Sequence, residues 1–295
     1  MSVEPRLYID EPLSQGAEIA LGKEAAHYLV TVMRRGEGAG VRLFNGRDGE
    51  WRAVVSQASR KSAVLGVEKQ LREQASVPDL ALYFAPVKRA RTDFIVEKAT
   101  ELGAASITAV MTRRTIAETV RTDRLAANAK EAAEQTERLD LPAIGEPVAL
   151  DRLLDGWDTN RKLVFCDEAG EEGEKPWGGQ EGRARPMLEV LQEHRYAPPL
   201  AGELSRPQAV TEGADNAAAP PSALRATSSG GGGQQRWAIL IGPEGGFDPG
   251  ERELLRSKPF CIPVTLGPRI LRADTAAAAA LALWQAVLGD WNTSL

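Results

Sequence analysis

The sequence predicts an α/β protein in which a mostly parallel sheet flanked by helices follows a small β-rich domain. Three observations carry this. From Leu80 onward, apolar runs of strand length alternate with helical patterns. Before that, residues 1–72 hold short strand patterns and two hairpin signals. Near the C-terminus, two apolar runs stop abruptly at glycine: Ile239-Leu240-Ile241 before Gly242, and Val264-Thr265-Leu266 before Gly267. Strands alternating with helices imply a parallel sheet covered on both faces. Apolar runs bounded by Gly and Pro read as buried strands ending in tight turns.

In the first part, strands are expected at residues 7–9, 41–44, 51–55 and 63–67. Asn45-Gly46 and Asp48-Gly49 mark the turn between the second and third. One helix is expected from Glu24 to Arg35, stopped by Gly36. In the second part the strand–helix pairs are 81–85 with 92–102, 107–111 with 121–138, 163–166 with 186–194, 237–241 with 249–256, and 261–266 with 275–288. The division expected is therefore a domain over residues 1–75 and a larger one over 76–295. Residues 196–235 interrupt the larger one. They are rich in Pro, Ala, Ser and Gly and include Gly230 to Gly233, a composition that cannot bury enough apolar surface to offset chain entropy. A disordered insertion is expected there. The glycines lack the Lys-Ser/Thr of a phosphate loop.

A length of 295 residues suits two domains, or one with a large insertion. Cys166 and Cys261 each sit inside an apolar run and read as buried, reduced thiols. The N-terminus carries no basic-then-apolar signal segment. The longest apolar helix candidate is far shorter than the about 20 residues a membrane span needs. A cytoplasmic protein with no membrane partner is expected. The net charge of −5 speaks weakly against a nucleic-acid partner, but the charge is segregated. Residues 88–130 hold nine Lys/Arg against five acids. Local basic faces, not totals, set phosphate attraction; an ordinary solvated surface is the competing possibility.

No metal-spaced Cys/His cluster and no Gly-x-Ser-x-Gly elbow occur, and the two histidines, His27 and His194, are far apart. No metal is expected, and a Ser-His-Asp hydrolase is poorly supported. A nicotinamide dehydrogenase lacks its Gly-x-Gly-x-x-Gly. The chemistry points instead to the two glycine turns. Glycine lets backbone approach a ligand closely and adopt positive φ, and strand ends in parallel sheets are where pockets form. Glu244 projects a carboxylate from the first turn. Arg269 and Arg272 follow the second. Asp274 or Thr275 is positioned to cap the next helix. Each turn taken singly is no more than a strand-to-helix loop. Ala276 to Ala280 fit either close packing or plain helix propensity.

The stretches IGPEGGF (241–247) and LGPRILRADTA (266–276) together resemble the signature of the RsmE family, ribosomal RNA uridine-N3 methyltransferases of the SPOUT class. AAHYLVTVMRRGEG (25–38), KATELGAASITAVMTRRT (98–115) and EAAEQTERLDLP (131–142) resemble further family segments. The likeness runs from about residue 6 to 289 apart from the insertion. It implies a PUA-like RNA-binding β-barrel domain, then a trefoil-knotted SPOUT domain whose C-terminal segment threads a loop. It implies a homodimer, S-adenosyl-L-methionine as methyl donor, and N3 of a uridine in the 16S rRNA of the small ribosomal subunit as acceptor.

On this resemblance the donor is expected among Leu240, Ile241, Gly242, Pro243, Glu244, Gly245, Gly246, Leu266, Gly267, Ile270, Leu271 and Thr275, its adenine near Leu240, Gly242, Leu266 and Leu271. Glu244, Arg272 and Arg269 are the catalytic candidates, for proton removal or for stabilising charge on N3. RNA contact is expected from Arg34, Arg35 and Lys61 on the small domain and from Lys88, Arg89, Arg113 and Arg114 on the large one. One departure stands out: Arg272-Ala273-Asp274-Thr275 replaces the family's frequent Arg-Thr-Glu-Thr, removing a hydroxyl and shortening an acid by one methylene. The alternatives are a SPOUT enzyme acting on tRNA or large-subunit rRNA, and a non-catalytic RNA-binding assembly factor.

Overall fold

The computed structural model describes residues 4–59, 61–117, 119–171, 179–196 and 235–292. The expected insertion lies almost wholly outside them.

Strands β1 (Arg6–Tyr8), β2 (Glu18–Leu21), β3 (Gly40–Phe44), β4 (Glu50–Ala58) and β5 (Ala63–Arg72) form one sheet in the order β1-β3-β4-β5-β2. Its alternate residues, among them Leu7, Val41, Leu43, Val55 and Leu65, enclose a separate core. The β3–β4 hairpin turns at the expected place: Gly46 and Gly49 take φ of 76° and 81°, and the Asn45 side-chain oxygen accepts from Arg47 and Asp48 N–H. Strand β2 has no counterpart among the expected elements; four residues with two inward-facing positions are too short a pattern to stand out. The expected helix over 24–35 is shorter. It runs as α1 (Lys23–His27), widens into a π-turn over Tyr28–Val32, and stops at Arg34 with φ 54°. Val30, Thr31 and Val32 are the cause: β-branched side chains crowd the preceding helical turn.

The second sheet contains β6 (Leu80–Phe84), β7 (Ser106–Met111), β8 (Ala143–Ala149), β9 (Arg161–Cys166), β10 (Arg185–Pro186), β11 (Arg236–Ile241) and β12 (Cys261–Thr265) in the order β10-β12-β9-β11-β6-β7-β8, every pairing parallel. Helices α2 (Arg89–Glu101), α3 (Thr122–Gln135), α4 (Leu150–Asp155), α5 (Met187–Tyr196), α6 (Pro249–Ser257) and α7 (Ala273–Val287) cover it. Strand β8 and helix α4 were not expected. Gly145 and Pro147 disguise β8, and its place at the sheet edge is where a proline is tolerated. Along β11 the faces alternate: Trp237, Ile239 and Ile241 join one core, Ala238 and Leu240 the other. Helix α7 buries Ala273, Ala276, Ala277, Ala280, Leu281 and Trp284 and packs on α2, α5 and β11. Its small residues therefore serve close packing.

The architecture has the form the resemblance implied, a parallel-sheet α/β domain after a small β-rich domain.

Arg6 ties the two sheets together. Its guanidinium donates to Glu50 (2.6 Å), to Ala133 O (2.7 Å) and to Arg138 O (2.7 Å), and lies 4.4 Å from the Phe44 ring centroid. The last carbonyls of a helix have no partner within it, so a buried arginine at the end of α3 supplies one.

Candidate cofactor and RNA site

Strand β11 ends at Ile241, and the chain then reverses: Gly246 N–H donates to Pro243 O at 2.8 Å. Glycine is required twice. Gly246 has φ 68°, and a Cβ on Gly242 would stand 2.9 Å from the Phe247 ring. Phe247 is buried and packs edge-on against Phe165, so the ring cannot retreat. Asp248 then caps α6, accepting from Gly250 N–H, while Glu251 reaches back to Asp248 N–H.

The turn meets two other segments. One is the loop 166–171 leaving β9, the strand beside β11. The other is the stretch 270–273 leading into α7. Between them lies a cleft of about 1090 Å³. Ile241, Ile270, Leu271, Ala273 and Ala276 give it apolar wall, residues 242–246 give it backbone, and its charged lining is mixed: Glu171 and Glu244 are ion-paired with Arg256 and Arg91, while no ion pair among the described residues engages Glu168.

Each wall is braced. Asp167 is 3% exposed and accepts from Arg252 Nε (2.7 Å) and Arg256 Nε (2.8 Å), fixing the 166–171 loop on α6. Glu168 accepts from Leu266 N–H (2.8 Å) and the Thr265 hydroxyl (2.6 Å), joining that loop to the end of β12. Arg113 N–H donates to Glu251 (2.7 Å), Arg113 Nη1 to Asp248 (2.7 Å), and Arg114 Nη1 to Gly245 O (2.8 Å). Glu244 is ion-paired with Arg91 of α2. Burial, then the charges of Glu168 and Asp167, push the Cys166 thiol far above its ordinary range. A thiol held protonated is not a nucleophile.

Of the residues expected at the donor site, Ile241, Gly242, Pro243, Glu244, Gly245, Gly246, Ile270 and Leu271 line this cleft, and so does the candidate Arg272. Leu240, Leu266, Gly267 and Thr275 do not. Leu240 alternates onto the opposite sheet face and is fully buried. Leu266 packs on the core, Gly267 turns the chain with φ 124°, and Thr275 lies in the first turn of α7. Arg269 is exposed and off the cleft wall. Helix α7 begins earlier than expected, with Arg272 at its N-cap, so Asp274 and Thr275 sit inside the first turn. Asp274 still accepts the Thr275 N–H there.

Among the RNA candidates, Arg34 and Lys61 are exposed and Arg35 half-buried on the first domain; Lys88 and Arg89 are exposed at the start of α2. Arg113 and Arg114 are occupied in bracing the glycine turn. Sequence reasoning missed Arg91, Glu168, Arg252 and Arg256. The acidic run from Asp167 was visible; its partners, 85 and more residues away, were not. Among the described residues no acid/His/Cys cluster is arranged to hold a metal ion, and no helix is long and apolar enough to cross a membrane.

Comparison with known proteins agrees with this architecture. Residues 73–187 and 206–285 match the model of an RNA methyltransferase domain, and residues 21–68 match that of an RNA methyltransferase PUA domain. Ribosomal RNA small subunit methyltransferase E of Rickettsia conorii is 28% identical over 94% of this chain and 93% of its own length. The Synechocystis protein of that name is 29% identical over 92% and 74%. A Legionella pneumophila methyltransferase solved with bound cofactor SAM superposes with a TM-score of 0.71 at 25% identity, covering 98% of this chain and 99% of that one. Ribosomal RNA small subunit methyltransferase E of Neisseria gonorrhoeae, bound to S-adenosyl methionine, shares the fold with a TM-score of 0.72 at 22% identity, over 98% and 100%. With both of its parts matched, this chain belongs to the RNA methyltransferase family.

Proposed function

We propose that this protein methylates N3 of a specific uridine in 16S rRNA of the small ribosomal subunit, with S-adenosyl-L-methionine as donor. The observation that carries the proposal is the cleft itself: the glycine turn 242–246 and the segment 270–273 face one another across it. The residues suit the donor. Apolar Ile241, Ile270 and Leu271 offer surface to an adenine, and the backbone at Gly242, where a Cβ would strike Phe247, comes bare to the cleft. The Glu168 carboxylate, which no ion pair engages among the described residues, favours a sulfonium cation. When bound, S-adenosylmethionine supplies an electrophilic methyl, whose transfer to N3 leaves S-adenosylhomocysteine and releases the N3 proton.

A uridine N3 carries that proton at neutral pH and is a poor nucleophile until it departs. We assign Glu244 to receive it; its carboxylate lines the cleft and is ion-paired with Arg91. Arg272, exposed at the mouth of α7, offers positive charge to the nitrogen as it becomes anionic. Holding the reactants aligned supplies much of the remaining rate. The first domain contributes Arg34, Arg35 and Lys61 to phosphate contact.

The protein acts in the cytoplasm as a homodimer. The outer face of α7, where Ala278, Ala279 and Ala282 are only half-buried, supports a self-complementary contact. Sedimentation of the full chain tests it: a dimer is expected, and Ala282→Arg should yield monomer. The central test is mass spectrometry of 16S rRNA fragments from cells with and without the protein, using labelled donor. One uridine gaining a methyl at N3 is expected. Label in tRNA or large-subunit rRNA instead would redirect the substrate, and no label with no calorimetric donor binding would point to an assembly factor.

A further inference from the structure

A second cavity, about 450 Å³, adjoins the cleft just described. The two share Arg114, Pro243 and Glu244. The glycine turn is thus a wall with one face toward each, and groups bound on its two sides approach one another at Glu244. The second cavity has a different chemistry. Its depth is apolar: Val87 and Leu125 are buried and Val120 is half-buried. Its rim is basic, with Lys88 and Arg89 exposed at the start of α2. Arg124 is neutralised by Asp93, and Arg121 by Asp123. Among the described residues no ion pair engages Lys88 or Arg89.

A dry slot under a cationic rim suits a ligand that is planar and apolar at one end and anionic at the other. A nucleotide is such a ligand. The cavity's volume is within the roughly 300–1,000 Å³ range of small-molecule pockets. Enzymes acting on a base inside folded nucleic acid must extract it from the stack, and phosphate contacts then fix its register. We infer that this second cavity seats the target nucleotide, its base in the slot beside Val87, Val120 and Leu125 and its phosphates on Lys88 and Arg89. The inference rests on the methyl-transfer reading and names where the acceptor enters.

The test uses small subunits from a strain lacking the enzyme, in single-turnover methylation, with donor affinity and sedimentation measured in parallel. Val120→Trp fills the slot. It should slow the maximal rate by about ten-fold or more, with donor affinity within about two-fold of the parent. Lys88→Ala with Arg89→Ala should raise the half-saturating subunit concentration about ten-fold and reduce its salt dependence, leaving the maximal rate within about two-fold. Full activity in a folded Val120→Trp protein would overturn the inference. So would a change in its sedimentation, because the cavity would then be a contact between copies. If Val120→Trp does not fold, the double variant decides: unchanged half-saturation would overturn the assignment. A parent protein that binds donor and methylates RNA while these variants behave as parent refutes the second cavity alone. A parent that does neither refutes the methyl-transfer reading and this inference with it.

Discussion

Gly242 is a position where one methyl group should disable the donor site. Its Cβ would meet the Phe247 ring at 2.9 Å, and that ring is wedged against Phe165. Gly242→Ala is expected to cost about 1–3 kcal/mol of stability through overpacking and to weaken donor affinity by calorimetry more than Gly245→Ala does. At Gly245 an added Cβ makes only ordinary contact with Arg114. Arg272 behaves differently. Its side chain is exposed and makes no cap hydrogen bond to α7, so Arg272→Ala should lower turnover about ten-fold or more while donor affinity changes little. Equal loss of both would assign it to donor binding. The reach of sequence at this scale is plain in these residues. Gly242 was legible because a glycine directly after an apolar strand marks a tight turn. Arg91, the partner of Glu244, was one arginine among several until folding set α2 beside the turn.

Among elements, the loop after β9 forms one wall of the cleft, yet nothing in its sequence marks it as part of a site. Asp167 and Glu168 turn opposite ways from adjacent positions. The first secures the loop to α6 through Arg252 and Arg256, the second secures the end of β12 through Leu266 N–H and the Thr265 hydroxyl. Glu168→Ala leaves both donors without that acceptor. We expect a loss of about 1–3 kcal/mol in urea unfolding, with donor affinity reduced because the stretch 270–273 is released. Glu168→Gln should retain part of both, since its amide oxygen still accepts one bond. After Leu80 the strand–helix alternation was readable, apart from β8 and α4, wherever an element carries its own apolar period. The short elements β2 and α4 were not, since four to six residues hold too little of any period.

For the whole molecule, the decisive feature is the joint between the two sheets. Arg6 bonds Glu50 within the first and the end of α3 in the second, with Glu50 also taking Arg72 Nε at 2.9 Å. Arg6→Ala should destabilise the protein by about 3 kcal/mol or more, because it strips a buried carboxylate of its closest partner. Burial pushes the Glu50 carboxyl upward, but hydrogen bonds from Arg6 and Arg72 outweigh it and hold the group below its ordinary 4.5. A depressed folded value means the stabilisation is fully present above pH 4.5 and is lost as pH falls through the folded value. Urea midpoints measured between neutral and acid pH should therefore fall more steeply in the parent than in Arg6→Ala. Parallel curves would show that Glu50 does not govern the acid response.

What the sequence by itself determined is local and chemical: two glycine turns at strand ends, an alternating α/β order, a basic stretch at 88–130, and motifs specific enough to suggest a family. These survive in one dimension because each depends on neighbours a few residues away. What only the tertiary structure decided is which of those residues share a wall. Leu240 and Ile241 are adjacent in the chain yet face opposite cores, and Glu244 is paired with Arg91 from 153 positions away. Side-chain direction on a strand follows pleat, and contact between strands follows sheet order, so the members of a site built at the ends of parallel strands are chosen by packing rather than by spacing.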